Sequence, residues 1–347
     1  MKKVFVAMSG GVDSSVTALL LKEAGYEVTG VFMRSYNLDG CAQKDVEDAR
    51  RVAARLDIPF YIFDFEQQYK EKVVQYMIET YRQGFTPNPD VMCNKEIKFN
   101  LFLKKALELG ADFIATGHYV RLVADGIFYS LYTARDKTKD QSYFLWTLTQ
   151  EQLKYSLFPI GDYLKSEVRE IARYKNLPTA DKKDSQGICF LGKITLFDFL
   201  KNYIPPQKGS VVTTTGKKIG EHQGVWFYTI GQRHIGVANN KPIYVVDKDI
   251  KTNTLIVAEG EDNVALYRKI VKLNEVNFIS PIFKDEDLKR GVNIFARVRY
   301  RQPLFPGVLS YEPTSGLYNL EFDLPVKFIA PGQSAVFYDK NDRMLGG

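Results

Sequence analysis

A glycine-rich turn at residues 9–15, SGGVDSS, constrains the fold of this chain more than any other feature. It lies between two apolar runs, residues 4–8 and 16–21, so a buried strand passes at once into a helix. Gly10 and Gly11 let the backbone approach an anion closely, and the start of the helix adds unpaired N–H groups with partial positive charge. Ser14 and Ser15 add hydroxyl donors. The segment therefore predicts a phosphate-binding loop, with an ordinary glycine turn as the alternative.

The turn lacks the lysine of the Walker A motif. Because that lysine serves transfer of the terminal phosphoryl group, its absence favours chemistry at the α-phosphate of a nucleotide, with pyrophosphate as the leaving group. Asp13 follows the glycines, where a carboxylate suits either a helix cap or a metal ligand.

The N-terminal half alternates short apolar runs with helical patterns. The runs are residues 4–8, 28–33, 60–63 and 113–116, and the helical patterns are residues 43–56, 67–82 and 95–109. This rhythm predicts an α/β fold with a doubly wound parallel sheet, which binds ligands at the carboxyl ends of its strands. Ser9, Met33 and Gly117 fall at such ends. The alternatives are that Met33 only fills the core and that Gly117 only makes a turn.

Composition indicates a multi-domain protein with a mild excess of basic residues. The chain has 347 residues, more than one core usually supports. Lys and Arg total 47 against 41 Asp and Glu, a net charge of +6, which suits a local patch for a polyanion without requiring one. No stretch approaches the roughly 18 apolar residues of a membrane span, and no signal segment precedes the first strand. We therefore expect a cytoplasmic protein that does not enter a membrane.

Three cysteines are too few for a disulfide scaffold, and none lies in a CxxC pair, so no zinc site is predicted. Cys93 and Cys189 both lie in segments with loop signatures. Two unrelated buried thiols are the alternative to a functional pair. Cys41 precedes a charged helical face and has no motif around it, so we take it as incidental.

Five further motifs follow the turn. They are NPDVMCN at residues 88–94, ATGHY at 115–119, KDQSYFL at 139–145, SQGICF at 185–190 and YTIGQR at 228–233. In this order they resemble the tRNA-specific 2-thiouridylases, a family of PP-loop ATP pyrophosphatases, over nearly the whole chain. The resemblance implies an enzyme that adenylates the C2 carbonyl oxygen of the wobble uridine, position 34 of tRNA, and replaces that oxygen with sulfur.

The resemblance also implies which residues do this. ATP, with Mg²⁺, is expected at Ala7, Met8, Ser9, Gly10, Gly11, Val12, Asp13, Ser14, Met33 and Gly117, with Met33 beside the adenine. Cys189 would carry the sulfur as a persulfide, and Cys93 would react with it, release the sulfur and leave a disulfide. Asp90 would lie next to the base and move a proton, although an aspartate after proline is often only a turn residue. Positive charge from Lys95 or Lys183 would favour the thiolates.

Contacts with tRNA are implied by the same resemblance. The expected residues are Asn88, Pro89, Asp90, His118, Lys139, Asp140, Gln141, Arg299, Tyr300 and Gln333. From the residues alone, strand alternation puts Arg297, Arg299 and Arg301 on one face, where guanidiniums suit phosphates, and Tyr300 is available for stacking. A solvated strand face is the alternative. The implied partners are tRNAs for lysine, glutamate and glutamine and a persulfide donor such as a cysteine desulfurase or sulfur-relay protein.

The second half of the chain changes character. Pro205, Pro206 and repeated glycines separate short strand-like runs, among them residues 293–300 and 334–338. Together with the resemblance, this predicts a PP-loop adenylation and catalytic domain at residues 1–195, a small linking domain at 196–260 and a C-terminal β-barrel that contacts tRNA at 261–347.

Two other classes of protein remain open. One is a different PP-loop enzyme, an amide-forming synthetase that uses ammonia and needs no paired cysteines. The other is a catalytically inactive RNA-binding relative. Release of pyrophosphate from ATP that depends on tRNA separates the thiouridylase from both.

Overall fold

The computed structural model describes residues 1–36, 42–184, 191–192, 194–279 and 283–347. Its N-terminal part is built on parallel strands β1 (Lys3–Ala7), β2 (Glu27–Arg34), β3 (Phe60–Asp64) and β4 (Phe113–Ala115). A hairpin of β5 (Val120–Asp125) and β6 (Phe128–Thr133) follows, and β7 (Ser156–Leu157) completes the sheet in the order β3-β2-β1-β4-β7. The four predicted strands are thus confirmed within two residues at each end.

Strand β1 lies in the middle of this sheet and is buried on both faces. Val4 and Val6 belong to one hydrophobic cluster, whereas Phe5 and Ala7 belong to the cluster on the opposite face. Such double burial explains why the strand is a continuous apolar run rather than an alternating one. The central position also brings the turn after β1 between the ends of β2 and β4.

Helices cover both faces of the sheet, as a doubly wound fold requires. In chain order they are α1 (Val12–Glu23), α2 (Ala42–Arg55), α3 (Glu66–Tyr69), a π-helical segment (Lys70–Val74), α4 (Gln75–Arg82), α5 (Pro89–Cys93), a second π-helical segment (Asn94–Phe102), α6 (Leu103–Glu108), a 3-10 turn (Ser142–Leu145), α7 (Gln150–Lys154) and α8 (Lys165–Tyr174). Sequence patterns predicted α1 to α4 and α6. They did not predict the β5–β6 hairpin, α7 or α8. The loop predicted around Cys93 is wrong, because Asn88 caps a short helix there and Pro89 begins it.

A small sheet occupies the middle of the chain. After α9 (Leu196–Leu200), it is formed by β8 (Gly209–Thr213), β9 (Lys218–His222), β10 (Ile243–Asp249) and β11 (Thr254–Glu259) in the order β10-β11-β8-β9. A 3-10 turn at Val225–Phe227 packs against it. A second 3-10 turn, Val264–Leu266, leads out of this part.

The C-terminal part is an antiparallel barrel. Its strands are β12 (Tyr267–Leu273), β13 (Val292–Arg297), β14 (Phe305–Glu312), β15 (Leu317–Lys327), β16 (Val336–Tyr338) and β17 (Met344–Gly346), ordered β12-β15-β14-β13-β16-β17, with α10 (Asp285–Arg290) preceding β13. Backbone bonds from Asn277 and Ile279 to the β17 end close the sheet on itself. The predicted fold class, a parallel-sheet domain followed by a small domain and a β-barrel, is confirmed.

Two strand predictions in the barrel extend too far. The run 293–300 is a strand only to Arg297, because Val298 onward forms a turn in which Arg301 has φ +66° and Gln302 N–H bonds to the Arg299 carbonyl. The predicted common face of Arg297, Arg299 and Arg301 is therefore wrong. The run 334–338 is a strand only over Val336–Tyr338. In the described residues, we find no helix with the length and apolarity of a membrane span.

Candidate active site

The predicted nucleotide residues converge at one edge of the parallel sheet. The register pairs Ala7 with Val31 and Val6 with Ala115, so the turn after β1, Met33 near the end of β2 and Gly117 after β4 lie at neighbouring carboxyl ends. This is the edge at which parallel α/β sheets bind ligands. The sheet thus brings together loop residues 7–14, Met33 from about twenty residues further along the chain, and Gly117 from about a hundred residues further.

The glycine-rich loop is held in a tight conformation. Gly10 has φ +75°, and a Cβ there would lie 2.3 Å from the Asp45 carbonyl oxygen of α2. Gly11 is the N-cap of α1 and offers no side-chain acceptor, so the first-turn amides that begin at Val12 have no acceptor within the helix. Those amides and the dipole of α1 form the predicted anion cradle. Ser14 Oγ accepts the Ser9 N–H at 3.1 Å and fixes the shape of the loop.

Gly117 is in contact with this loop. A Cβ at Gly117 would lie 2.9 Å from the Ser14 backbone nitrogen and 3.0 Å from the Asp13 carbonyl carbon. Only glycine therefore allows the end of β4 to pack directly on the first turn of α1. Besides its predicted role beside the nucleotide, the residue has this packing role.

Asp13 binds a lysine that sequence analysis did not single out. Lys165 Nζ lies 2.7 and 2.8 Å from the two Asp13 carboxylate oxygens, and Tyr119 donates its hydroxyl to the first of them at 2.8 Å. Asp13 does not cap α1, so the cap alternative is wrong. Burial and the Asp13 charge raise the pKa of Tyr119, which keeps it a neutral donor. Helix α8 therefore supplies Lys165 to the glycine-rich loop, which has no lysine of its own.

Asp184 extends this set of charges. Its carboxylate accepts from Lys165 at 2.9 Å, Lys139 at 2.9 Å and Arg169 at 2.7 Å. Burial raises the pKa of Asp184, but its bonds to Lys165 and Lys139 outweigh burial and lower it to about 2. Asp184 is thus ionised at neutral pH and joins Lys139, a predicted tRNA contact, to the lysine of the nucleotide loop.

A second unpredicted lysine, Lys182 in the segment after α8, joins the loop to α2. Lys182 Nζ donates to the Gly10 carbonyl at 3.0 Å and to the carboxylates of Asp45 and Asp48 at 2.7 and 2.6 Å. Lys165 is the first residue of α8, where the helix dipole disfavours a cation. Because the sequence patterns did not predict α8, no sequence signal marked either Lys165 or Lys182.

The NPDVMCN motif forms a short helix that presents Asp90 and Cys93 together. Asn88 caps α5 by accepting the Val91 N–H at 3.3 Å, and Pro89 occupies the first helical position. Asp90 and Cys93 are three residues apart and so lie on one face of the helix. Cys93 is buried. Burial raises the pKa of Asp90, and the charge of Lys98 partly offsets that rise.

His118 links the π-helical segment that continues α5 to the residue that packs on the glycine-rich loop. Its Nδ1 is 2.7 Å from Thr116 Oγ1, and its Nε2 is 3.5 Å from Lys98 Nζ. The ring is buried against Phe99 and Phe158, and burial together with Lys98 holds the His118 pKa well below its ordinary value. The imidazole is therefore neutral. Because Gly117 touches the loop and His118 touches Lys98, two consecutive residues join the two halves of the site.

The predicted tRNA residues at 139–141 have different environments. The Lys139 ammonium lies near the surface on Asp184. Gln141 accepts the Tyr119 N–H at 3.0 Å and thereby holds the tyrosine that contacts Asp13. Asp140 is buried, and its carboxylate is bound by Arg297, by Ser142 and by the Ala134 N–H. That carboxylate anchors the barrel to the first domain.

Arg297 explains why the three arginines of its segment differ. It is only 6% exposed, and besides Asp140 it donates to the Tyr338 hydroxyl at 2.8 Å. Arg299 lies beyond the strand and is partly exposed, and its side chain forms no hydrogen bond or ion pair with any residue that the structure describes. Tyr300 packs on Phe144 with ring centroids 4.4 Å apart. The barrel thus presents Arg299 and Tyr300 next to the 139–145 motif.

Several predicted positions cannot be placed. Cys189, Cys41 and the motif at 185–190 lie outside the described residues.

The two lysines expected near the cysteines, Lys95 and Lys183, are exposed. In the ranges that the structure covers, no group of three or more His, Cys, Asp or Glu side chains is arranged to hold a metal ion.

Comparison with known proteins identifies the family. A family model described as tRNA methyl transferase HUP domain matches residues 2–193, one described as tRNA methyl transferase PRC-barrel domain matches 197–259, and one described as aminomethyltransferase beta-barrel domain matches 268–347. A tRNA-specific 2-thiouridylase MnmA from Staphylococcus epidermidis is 46% identical over 99% of this chain and 94% of its own. The chain belongs to the tRNA-specific 2-thiouridylase family.

Other members of the family match to the same extent. The proteins of this name from Geobacillus thermodenitrificans and Lacticaseibacillus paracasei are 46% and 47% identical, in each case over 99% of this chain and 93% of theirs. The resemblance inferred from the motifs is confirmed. The descriptions of the first two family models mention methyl transfer. The relatives that match over the full length are 2-thiouridylases, so we assign the family from those relatives.

Proposed function

We propose that this protein is a tRNA-uridine 2-sulfurtransferase that adenylates the C2 oxygen of the wobble uridine with ATP and replaces it with persulfide sulfur. The observation that carries the proposal is the junction at residues 117–118, where Gly117 packs on the nucleotide loop and His118 packs on Lys98. Lys98 lies in the π-helical segment that continues α5, so this junction links the anion cradle to the helix that holds a carboxylate and a thiol. Adenylation followed by sulfur transfer needs those three groups within reach of one base.

ATP would bind along the edge formed by residues 7–14, with its adenine toward Met33. First-turn amides of α1 and the Lys165 ammonium would stabilise the charge that develops on pyrophosphate as the uridine O2 attacks the α-phosphate. Lys165 supplies from another helix the cation that the loop lacks in sequence. Mg²⁺ would be held mainly through the phosphates of ATP, with Asp13 as the carboxylate of the loop, and would neutralise their charge.

Asp90 is suited to move the proton of this step. When O2 of uracil forms a bond to phosphorus, the N3 proton must leave. A carboxylate whose pKa is raised by burial is a stronger base than an exposed one. His118 is neutral and bound to Thr116, so it shapes the site without adding charge.

Sulfur transfer then uses the two cysteines in sequence. The Cys93 thiolate attacks the inner sulfur of the Cys189 persulfide, which forms the Cys93–Cys189 disulfide and releases hydrosulfide. Hydrosulfide adds to C2, and AMP leaves with the former O2 oxygen, so that the product carries C2=S. A thiol reductant restores both cysteines. Disulfide geometry needs their Cα atoms within about 7 Å in the state that reacts.

The tRNA would lie across the first domain and the barrel. Lys139, Arg299 and Tyr300 are the side chains best placed to meet it, and lysine, glutamate and glutamine tRNAs are the expected substrates. A cysteine desulfurase or sulfur-relay protein would deliver the persulfide, in the cytoplasm where tRNA is found. We place the domain boundaries after residues 195 and 260.

Pyrophosphate release from ATP, measured with and without tRNA, tests the proposal. We expect release only with tRNA that has an unmodified wobble uridine, and loss of release in Asp13→Ala and Ser14→Ala while tRNA still binds. Release without tRNA would favour an amide-forming synthetase, and binding without release would favour an inactive RNA-binding relative. Loss of tRNA binding with normal release in the loop variants would contradict the placement of ATP.

A further inference from the structure

The segment that leads into Asp90 is held by the other two parts of the chain. The Thr86 N–H donates to the Pro331 carbonyl at 2.8 Å, and Gln333 Nε2 donates to the carbonyls of Thr86 and Pro87 at 3.1 and 2.9 Å. Thr86 Oγ1 also donates to Thr229 Oγ1 at 3.2 Å. We call the barrel turn at residues 331–333 the clasp.

The clasp fits closely. Gly332 has φ +92°, and a Cβ there would lie 2.8 Å from the Thr86 carbonyl oxygen and 2.9 Å from Phe85 Cβ. A larger residue would force the barrel turn away from residues 85–86. The next residue but one after Thr86 is Asn88, the cap of α5, so displacement of this segment passes directly to the helix that carries Asp90 and Cys93.

The hydrogen bonds of Gln333 change the interpretation of this residue. A glutamine amide nitrogen has two hydrogens, and both are used on backbone carbonyls of the segment before α5. The side chain therefore has no N–H left for RNA. Its role in the structure is to join the barrel to residues 86–87.

We propose that Gln333 is a positioning residue, which aligns Asp90 and Cys93 with a uridine delivered by tRNA bound to the barrel. This inference rests on the proposed function. The barrel presents Arg299 and Tyr300, whereas the reacting groups are on α5, and the clasp fixes one relative to the other. Reacting groups that shift by about 1 Å can lose about a hundredfold in rate, so a loosened clasp should slow the chemistry without weakening tRNA binding.

Gln333→Met tests this, since methionine keeps the length of the side chain and removes both donors. We expect the single-turnover rate at saturating tRNA to fall at least about tenfold, while the Kd for tRNA stays within about twofold. Gln150→Met is the matched control. Gln150 also bridges the first domain and the barrel, through the carbonyls of Tyr129 and Ile279, but does not touch the segment before α5. Its rate should stay within about twofold of the unaltered protein.

Each outcome decides the proposal. A raised Kd with an unchanged saturating rate would make Gln333 an RNA contact and overturn it, and so would wild-type values for both. An equal loss of rate in Gln150→Met would indicate general loosening and would also overturn it. If Gln333→Met does not fold, Gly332→Ala perturbs the same clasp and must give the same split between rate and affinity. An unaltered protein without tRNA-dependent pyrophosphate release would instead refute the proposed function.

Discussion

Gly117→Ala should impair adenylation through one close contact. The added Cβ would lie 2.9 Å from the Ser14 nitrogen, whereas ordinary Cβ contacts begin near 3.4 Å, so the loop and the end of β4 must separate by about 0.5 Å. Gly117 does not have a positive φ, so the substitution brings no backbone strain and its effect is steric. A shift of about 1 Å can cost about a hundredfold in rate, and half of that shift predicts about a tenfold loss, or about 1.4 kcal/mol.

The assay is single-turnover release of pyrophosphate at saturating tRNA and ATP, with tRNA affinity measured in parallel. Gly126→Asn is the control, because Gly126 lies at the tip of the β5–β6 hairpin with no atom within 4 Å of an added Cβ. Asparagine tolerates its left-handed backbone. The control should react at the normal rate. A normal rate in Gly117→Ala would refute the contact between β4 and the loop during the reaction.

Four further variants test other parts of the site. Arg299→Ala should weaken tRNA binding and flatten its salt dependence by about one phosphate contact, and an unchanged affinity across a salt series would contradict this. Cys189→Ser should release pyrophosphate but accept no sulfur from a labelled persulfide donor. Cys93→Ser should accept the label and then stall before thiolation. A near-normal thiolation rate in Cys189→Ser would refute the persulfide assignment. Lys98→Met should raise the pKa of Asp90 further, because Lys98 now lowers it, so the rise of the adenylation rate with pH should move to higher pH. A pH profile unchanged by that variant would argue against Asp90 as the base.

The N-terminal fold was predictable because its signals are local. Strands buried on both faces are continuous apolar runs, which can be recognised in the sequence. The glycine-rich turn after β1 is a single stretch of seven residues, 9–15, and can be recognised in the same way. The motif order also identified the family. The β5–β6 hairpin was missed because the last three residues of β5 are exposed and give little strand signal. Helix α8 was missed although its buried residues Val168 and Ala172 have the spacing of an amphipathic helix.

Much of the site was not predictable because it depends on pairs far apart in sequence. Lys165 meets Asp13 across 152 residues, and Arg297 meets Asp140 across 157. Alternation alone put Arg297 on an exposed face, whereas the nearby carboxylate draws it into the interface between domains. For the same reason, a sequence cannot reveal that the amide of Gln333 is already used on the segment before α5.

In the proposed mechanism, the uridine O2 oxygen becomes bonded to the α-phosphate of ATP. An isotope experiment follows that oxygen: the tRNA contains ¹⁸O at the C2 oxygen of the wobble uridine, and the AMP formed is analysed by mass spectrometry. We expect the AMP to carry the ¹⁸O as one sulfur enters each uridine. AMP without ¹⁸O, formed while the uridine is thiolated, would contradict the mechanism.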